Sequence, residues 1–238
     1  MNSYRYELHC HTSEGSKCSS MSAKDVAEFY HRMGYSGICV TDHFTGNGTA
    51  PNRMLWENRI EHFHKIYLKA KSAGERLGLS VFFGLEYSIA PNIKQMSKIT
   101  GNDFLILNCS KEWLKDNKEA FGLRPTELFG RIREAGGFII HAHPFLEEPW
   151  IESIRLYPRC VDAVEVQNAH CSNSANSNAL AYARMYGLLE TAGSDSHSTQ
   201  EQVLTGLETD APCLTPAALI AAIKEQRTRV FAIKARCQ

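Results

Sequence analysis

The chain has 238 residues and a mass of 26.7 kDa, enough to bury a sizeable core in one large α/β domain or two small ones. Its 26 basic and 26 acidic side chains cancel to a formal net charge of zero, with no long run of one sign, which argues against a nucleic-acid or membrane-surface binder. The polar start MNSYRYE lacks the apolar segment of a secretory signal and no stretch approaches the ~20 apolar residues of a membrane span, so the expected location is the cytoplasm.

In chain order, YRYELH reads as a first strand and SAKDVAEFYHRMG as a helix with Val26, Tyr30 and Met33 on one face and Gly34 behind it. SGICVTDH is a second strand. Residues 54 to 77 then place Trp56, Ile60, Phe63, Tyr67, Ala70 and Leu77 on one stripe of a long amphipathic helix. SVFFGLE and DFLILN are the third and fourth strands, PTELFGRIREAGG a helix, and GFIIHAHP and DAVEVQN the fifth and sixth strands. NSNALAYARMYG is a helix closed by glycine, LLETAGSD a seventh strand, and TPAALIAAIKEQ a last helix before a strand-like RVFAIKA. This alternation predicts one parallel α/β domain, with a strand count that suits a barrel. A doubly wound sheet is the alternative, but HTSEGSKCSSMS after the first strand matches no glycine-rich phosphate loop.

The eight cysteines are scattered, show no C-x-x-C, and are expected to be reduced thiols. Cys39 sits in a buried-strand pattern, and Cys10 should point away from the histidines that flank it. Cys18 stays open to a functional role.

In a parallel barrel the active site forms at the C-terminal strand ends, and the unusual residues collect there. His9 and His11 end the first strand, Asp42 and His43 the second, Glu86 the third, His141 and His143 the fifth, and Asp195 and His197 follow the seventh. Strand residues i and i+2 share a face, so H-C-H, H-A-H and D-S-H can each aim two ligands at one point. In EHFHKIY the same spacing falls on a helix, where His62 and His64 project ~200° apart, so these two and His31 read as ordinary histidines. Mixed imidazole and carboxylate donors suit Zn, Mn or Fe, and their number implies two or three divalent transition-metal ions. Such ions activate water, orient substrate and neutralise charge on a phosphoryl group. No G-x-S-x-G elbow or paired redox cysteines compete with this reading.

The motifs ELHCHTS, GICVTDHF, GLEYS, IIHAHPF and AGSDSH, in that order, resemble the PHP (polymerase and histidinol phosphatase) phosphoesterases over nearly the whole chain. The resemblance implies an α/β fold, a distorted (β/α)7 barrel spanning residues 1–238 as a single domain, and a trinuclear metal site that hydrolyses phosphoesters. It makes His9, His11, His43, Glu86, His143, Asp195 and His197 ligands, with Glu86 bridging two ions and Glu86, His43 and Asp195 assigned to catalysis. His141 is the weaker member of its pair. Family members commonly carry a further ligand in the loop after the first H-x-H, where this chain offers Glu14 first and Cys18 second. Asp103 is the expected replacement for a histidine near strand four, with Ser110 a weaker option. The substrate expected is a small phosphomonoester or nucleotide, histidinol phosphate being one possibility. Leu146 stands where an arginine is frequent in similar proteins, so Arg155 and Arg159 are the candidate phosphate binders, with solvent-facing helix residues as the alternative. Two other functions stay open: an amidohydrolase-like metal hydrolase, which a lysine on strand four would favour, and a non-catalytic PHP binding module.

Overall fold

The computed structural model describes residues 3–45, 48–51, 54–89, 102–149, 151 and 153–235. Nine strands form one sheet: β1 (Tyr4–Cys10), β2 (Gly37–Val40), β3 (Ser80–Ser88), β4 (Asp103–Leu107), β5 (Phe138–His141), β6 (Ala163–Asn168), β7 (Leu189–Gly193), β8 (Val203–Thr209) and β9 (Thr228–Lys234). Their spatial order is β7-β6-β5-β4-β3-β2-β1-β8-β9. The helices are α1 (Ala23–Arg32), α2 (Trp56–Leu77), α3 (Lys111–Asp116), α4 (Pro125–Glu134), α5 (Asn173–Tyr186) and α6 (Pro216–Lys224), with a 3-10 turn at Lys118–Gly122.

The sheet curls until the end of β7 returns to β1. Asp195 N–H donates to the His9 carbonyl at 2.7 Å and His11 N–H to the Ser196 carbonyl at 3.2 Å. β1 to β7 thus make a distorted, nearly closed α/β barrel, while β8 pairs antiparallel with the first half of β1 and β9 with β8. The helix faces follow the apolar periods. In α1, Val26 and Tyr30 are buried, and a capping box of Ser22 and Asp25 satisfies the first turn. In α2, Ile60, Phe63 and Ala70 are buried, and Gly78, at φ 74°, ends the helix in the left-handed conformation that glycine adopts without strain.

Two features of the sheet depart from the sequence reading. The first is strand direction: β4 runs antiparallel to both β3 and β5, so the barrel is not all-parallel. Ser88 pairs with Asp103, so the chain re-enters the sheet at the end where β3 left it, without the crossover that a parallel strand requires. The second is β8, to which no strand was assigned, because Gly206 interrupts its Val-Leu-Thr pattern.

The barrel core holds Leu8, Cys39, Phe82, Leu105, Phe138 and Ile140. α6 packs Leu219, Ile220 and Ile223 into the same cluster, next to Tyr6 and Ala163 at the starts of β1 and β6. That end of the barrel is closed by apolar packing. The opposite end carries the polar residues.

Candidate metal centre

The reversal of β4 positions one of these residues. In a parallel strand Asp103 would begin at the closed end. Because β4 runs backwards, its first residue lies beside the last residues of β3 and at the level of His141 on β5. Two register irregularities also sit at this mouth, one in β1 between Glu7 and Cys10 and one between β6 and β7 at Glu165 to Gln167. Bulges bend a strand and re-aim its side chains. Two residues of the cluster leave ordinary backbone space, His143 at φ 27° and Asp195 at φ 55°. Such conformations cost free energy and persist where surrounding contacts impose them.

The side chains converge on the carboxylates of Glu86 and Asp195. Glu86 Oε2 lies 2.5 Å from His43 Nδ1 and 3.5 Å from His11 Nε2, and Glu86 Oε1 lies 3.3 Å from His143 Nε2 and 3.5 Å from His9 Nε2. Asp195 Oδ1 lies 3.0 Å from His11 Nε2, 3.4 Å from His9 Nε2 and 3.9 Å from His197 Nε2. Four overlapping groups have donor atoms all within 4.8 Å of one another: His11, His43 and His197; His9, His143 and Asp195; His9, His11 and Glu86; and Glu86, Asp103 and His143. The first group is all imidazole and the other three mix imidazole with carboxylate, donors that suit a divalent transition metal.

A second layer decides which ring nitrogen faces the centre. Glu165 Oε1 accepts from His9 Nδ1 at 3.1 Å, and Oε2 accepts from His143 N–H at 3.0 Å and Asn168 Nδ2 at 2.9 Å. The Ser16 hydroxyl donates to Asp42 Oδ1 at 2.8 Å, so it accepts from His43 N–H at 3.0 Å and from His11 Nδ1 at 3.1 Å. Both His9 and His11 therefore carry their fixed proton on Nδ1 and turn a free Nε2 inward, the arrangement a metal-bound histidine adopts. His9 Nε2 and Asp103 Oδ1 are buried without a hydrogen-bond partner. A neutral His11 Nε2 and Asp195 Oδ1, both acceptors, face each other at 3.0 Å. Orphaned acceptors in a buried cluster call for positive charge. The residues fit a metal ion.

The electrostatics agree. Burial disfavours charge on Glu86, yet His43 and His9 hold it well below the usual carboxylate range. Burial likewise opposes charge on Asp195, which His9 holds low. Burial opposes charge on His143 too, but Glu86 and Asp195 lift it to about 9. Burial and His43 push His11 down to about 3, leaving it neutral. Asp103 is raised, by burial and then by Glu86.

His9, His11, His43, Glu86, Asp103, His143, Asp195 and His197 thus come together, and other candidates do not. His141 is fully buried but stacks on Phe104 at 4.8 Å, with Tyr157 and Tyr182 around it. The unusual backbone at His143 breaks the alternation that would have put the two on one face. Glu14 turns the other way: its carboxylate accepts from Ala23 N–H at 2.9 Å, at the start of α1, and lies 3.8 Å from Lys69. Cys18 is exposed and belongs to none of the four donor groups; burial opposes ionisation of its thiol, but the imidazoles of His197 and His43 lower it to about 7. Ser110 caps α3 through Trp113 N–H, beyond the far end of β4. His62 bonds the Glu14 and Ala50 carbonyls, a structural role. Arg155 and Arg159 are exposed, in an irregular stretch rather than a helix. Arg159 precedes Cys160, whose carbonyl accepts from Arg133 near the end of α4, on the side where β5 begins and away from the ligands.

Glu165, Asn168 and Ser16 are the site residues that sequence reasoning missed. Glu165 had a signal, a carboxylate between Val164 and Val166 within a buried strand. Gly193 permits the close approach: a Cβ there would stand 2.4 Å from His9 Cβ and 2.5 Å from Glu165 Oε1.

Residues 7–142 match the PHP domain family and residues 173–228 the PHP-associated family. The chain belongs to the PHP family. Among curated proteins none matches the sequence. Among solved structures the fold resembles a two-domain protein from Bacteroides vulgatus containing a predicted PHP-like metal-dependent phosphoesterase, with TM-score 0.66 and 15% identity over 97% of this chain and 65% of that one. This chain therefore spans under two thirds of that protein. A candidate metal-dependent phosphoesterase from Bifidobacterium adolescentis has TM-score 0.54 and 15% identity, covering 81% of this chain and 87% of its own. An amidohydrolase from Chromobacterium violaceum, solved with bound sulfate and no metal, has TM-score 0.59 and 15% identity, covering 94% and 97%. Among the described residues no helix is long and apolar enough to cross a membrane.

Proposed function

We propose that this chain is a metal-dependent hydrolase of phosphoric esters, acting on a small phosphomonoester or nucleotide with two or three divalent ions of Mn, Zn or Fe. The observation that carries the proposal is the set of overlapping donor groups joined through Glu86 and Asp195, with His9 and His11 held in metal-ready tautomers. Glu86, Asp103, Asp195 and Glu165 bring four buried carboxylates to one mouth, which supports more than one divalent cation. His9 and Asp195 would hold one ion, Glu86 and Asp103 with His143 a second, and His11, His43 and His197 a third. When bound, such ions lower the pKa of water and neutralise charge on a transferring phosphoryl group. Glu86 would orient two neighbouring groups at once, His43 would align against its Oε2, and Asp195 would fix His9 and His11 at the centre. Arg155, on the connection leaving the mouth after β5, would hold a phosphate oxygen through its forked donors.

The family resemblance and the free cysteines of the described residues support a cytoplasmic, reducing location; Cys237 lies outside those residues. An amidohydrolase reading has less support, since β4 reads DFLIL and offers no lysine. The test is elemental analysis of the purified protein followed by a phosphate-release screen with added Mn2+ or Zn2+. Metal binding without release of phosphate from any monoester or nucleotide would favour the binding-module alternative and overturn the enzymatic one.

A further inference from the structure

We propose that Glu7 is a positioning residue of the metal centre: its buried carboxylate splices β1 to the chain leaving β7 and so fixes His9 against Asp195. The inference rests on the metal-centre reading above and adds to it a residue outside the donor groups.

β1 changes partner along its length. Tyr4, Arg5 and Tyr6 pair with Thr209, Glu208 and Leu207 of β8, whereas further on Asp195 N–H donates to the His9 carbonyl and Cys10 forms an isolated bridge with Ser196. Among the described residues no strand ladder joins β1 to β7. The exchange falls at Glu7, where β1 also loses regular register with β2. A ladder satisfies backbone donors only while the strands run in step, so such a junction strands N–H groups that need another acceptor. Here one atom serves two of them: Glu7 Oε1 accepts from His9 N–H at 2.8 Å and from Ser194 N–H at 2.9 Å. His9 belongs to two donor groups and Ser194 precedes Asp195, so the carboxylate grips both backbones from which these side chains leave. Tyr30 of α1 grips the other flank, its hydroxyl 2.7 Å from Ser196 Oγ. Asp195, at φ 55°, thus lies between two anchored serines, the kind of contact that holds a residue outside ordinary backbone space. Stability alone gives little reason for a carboxylate here. Glu7 is fully buried with Oε2 unpaired, and apolar replacements of buried charges are often neutral or better for stability.

The experiment measures Co2+ affinity by chelator competition, the visible spectrum of the loaded protein, and thermal unfolding of the metal-free protein, in Glu7→Gln, Glu7→Leu and the control Tyr6→Phe. The control removes the hydroxyl that accepts from Cys213 N–H at 2.6 Å, so it also leaves a buried donor unpaired, but at the closed end of the barrel. Glu7→Gln keeps an oxygen for the two N–H groups and should keep wild-type affinity and spectrum. Glu7→Leu should lose about 10- to 100-fold in affinity and change the spectrum, whereas Tyr6→Phe should lower Tm and leave both alone. Wild-type affinity and spectrum in Glu7→Leu, or an equal loss of affinity in Tyr6→Phe, shows a purely structural role and overturns the proposal. A loss in Glu7→Gln as large as in Glu7→Leu overturns it too, because charge and not the pair of hydrogen bonds would then be acting. If Glu7→Leu does not fold, Glu7→Asp decides: its carboxylate is drawn back by one methylene, so weaker cobalt binding supports the proposal and wild-type binding overturns it. All these outcomes leave the metal centre standing. A wild-type protein that binds no cobalt overturns the metal-centre reading, and this inference with it.

Discussion

Glu165 offers the sharpest test of the metal-ready tautomers, because a single isosteric change should switch one of them. Its Oε1 serves one donor, His9 Nδ1, whereas Oε2 serves two, His143 N–H and Asn168 Nδ2. In Glu165→Gln only one oxygen remains. It should stay on the side with two donors, which puts the new amide NH2 against His9 Nδ1. That nitrogen must then become an acceptor, and the ring proton moves to Nε2, the atom that points at Glu86 and Asp195. The volume is conserved, so packing around the buried site should hold. Loss of a second-layer partner typically costs 10- to 100-fold in metal affinity, or about 1.4 to 2.7 kcal/mol. The assay is metal titration against a competing chelator, paired with thermal unfolding of the metal-free protein. The expected result is weaker binding with little change in metal-free Tm. Wild-type affinity in Glu165→Gln would refute the tautomer argument, and a large drop in metal-free Tm would show that Glu165 acts mainly on the fold.

Asp103→Asn should weaken one metal equivalent by direct analysis, while Ser110→Ala should keep full metal content and lose ~1 kcal/mol of stability with its helix cap. The pH dependence has a definite sign: His143 is lifted from 6.5 to about 9, so its contribution to the metal-free protein is complete below pH 6.5 and disappears as pH rises through about 9. Metal-free stability should fall across that window by an amount on the order of 3 kcal/mol, lowering Tm, and metal affinity should rise across it as the competing proton leaves, both readable by calorimetry in chelator and in metal. Arg155→Ala should raise KM for a phosphomonoester by about tenfold with metal content unchanged, and Arg159→Ala should leave KM alone; the reverse pattern would place the phosphate at the other arginine.

Much of this site was legible because strand ends are legible. Histidines and carboxylates at the close of β1, β2, β3 and β5 and after β7 stand out against apolar runs, and period two says which neighbours share a face. The same rule separates Asp42 from His43: adjacent residues project oppositely, and Asp42 binds Thr12 and Ser16 while His43 meets Glu86. What stayed hidden was backbone geometry. The direction of β4 leaves no mark on DFLIL, so Asp103 was reached through family resemblance alone, and only the antiparallel register explains how a strand's first residue joins the last residues of its neighbours. The rule failed at H-A-H because it assumes extended backbone, and His143 at φ 27° is not extended. Glu14 failed for a different reason: a loop carboxylate near a helix start is drawn to the free N–H groups there as readily as to a metal.

The fold separates what holds the barrel together from what the mouth does. Leu105, Phe138, Ile140 and the α6 residues Leu219 and Ile223 close one end with apolar packing, where no charged group must be desolvated. At the other end the buried carboxylates repel one another unless cations lie among them, so the mouth is stabilised by what it binds. Two carboxylates link the groups: Glu86 belongs to two of them, as do His9, His11 and His143, and Asp195, a member of one, reaches His11 and His197 of another through Oδ1. Removing either carboxylate therefore disturbs more than one group, whereas removing Asp103 disturbs one. Single-residue losses at this mouth should accordingly not add: residues that share Glu86 or Asp195 should be coupled, and Asp103 and His197, which share no group, should behave nearly independently.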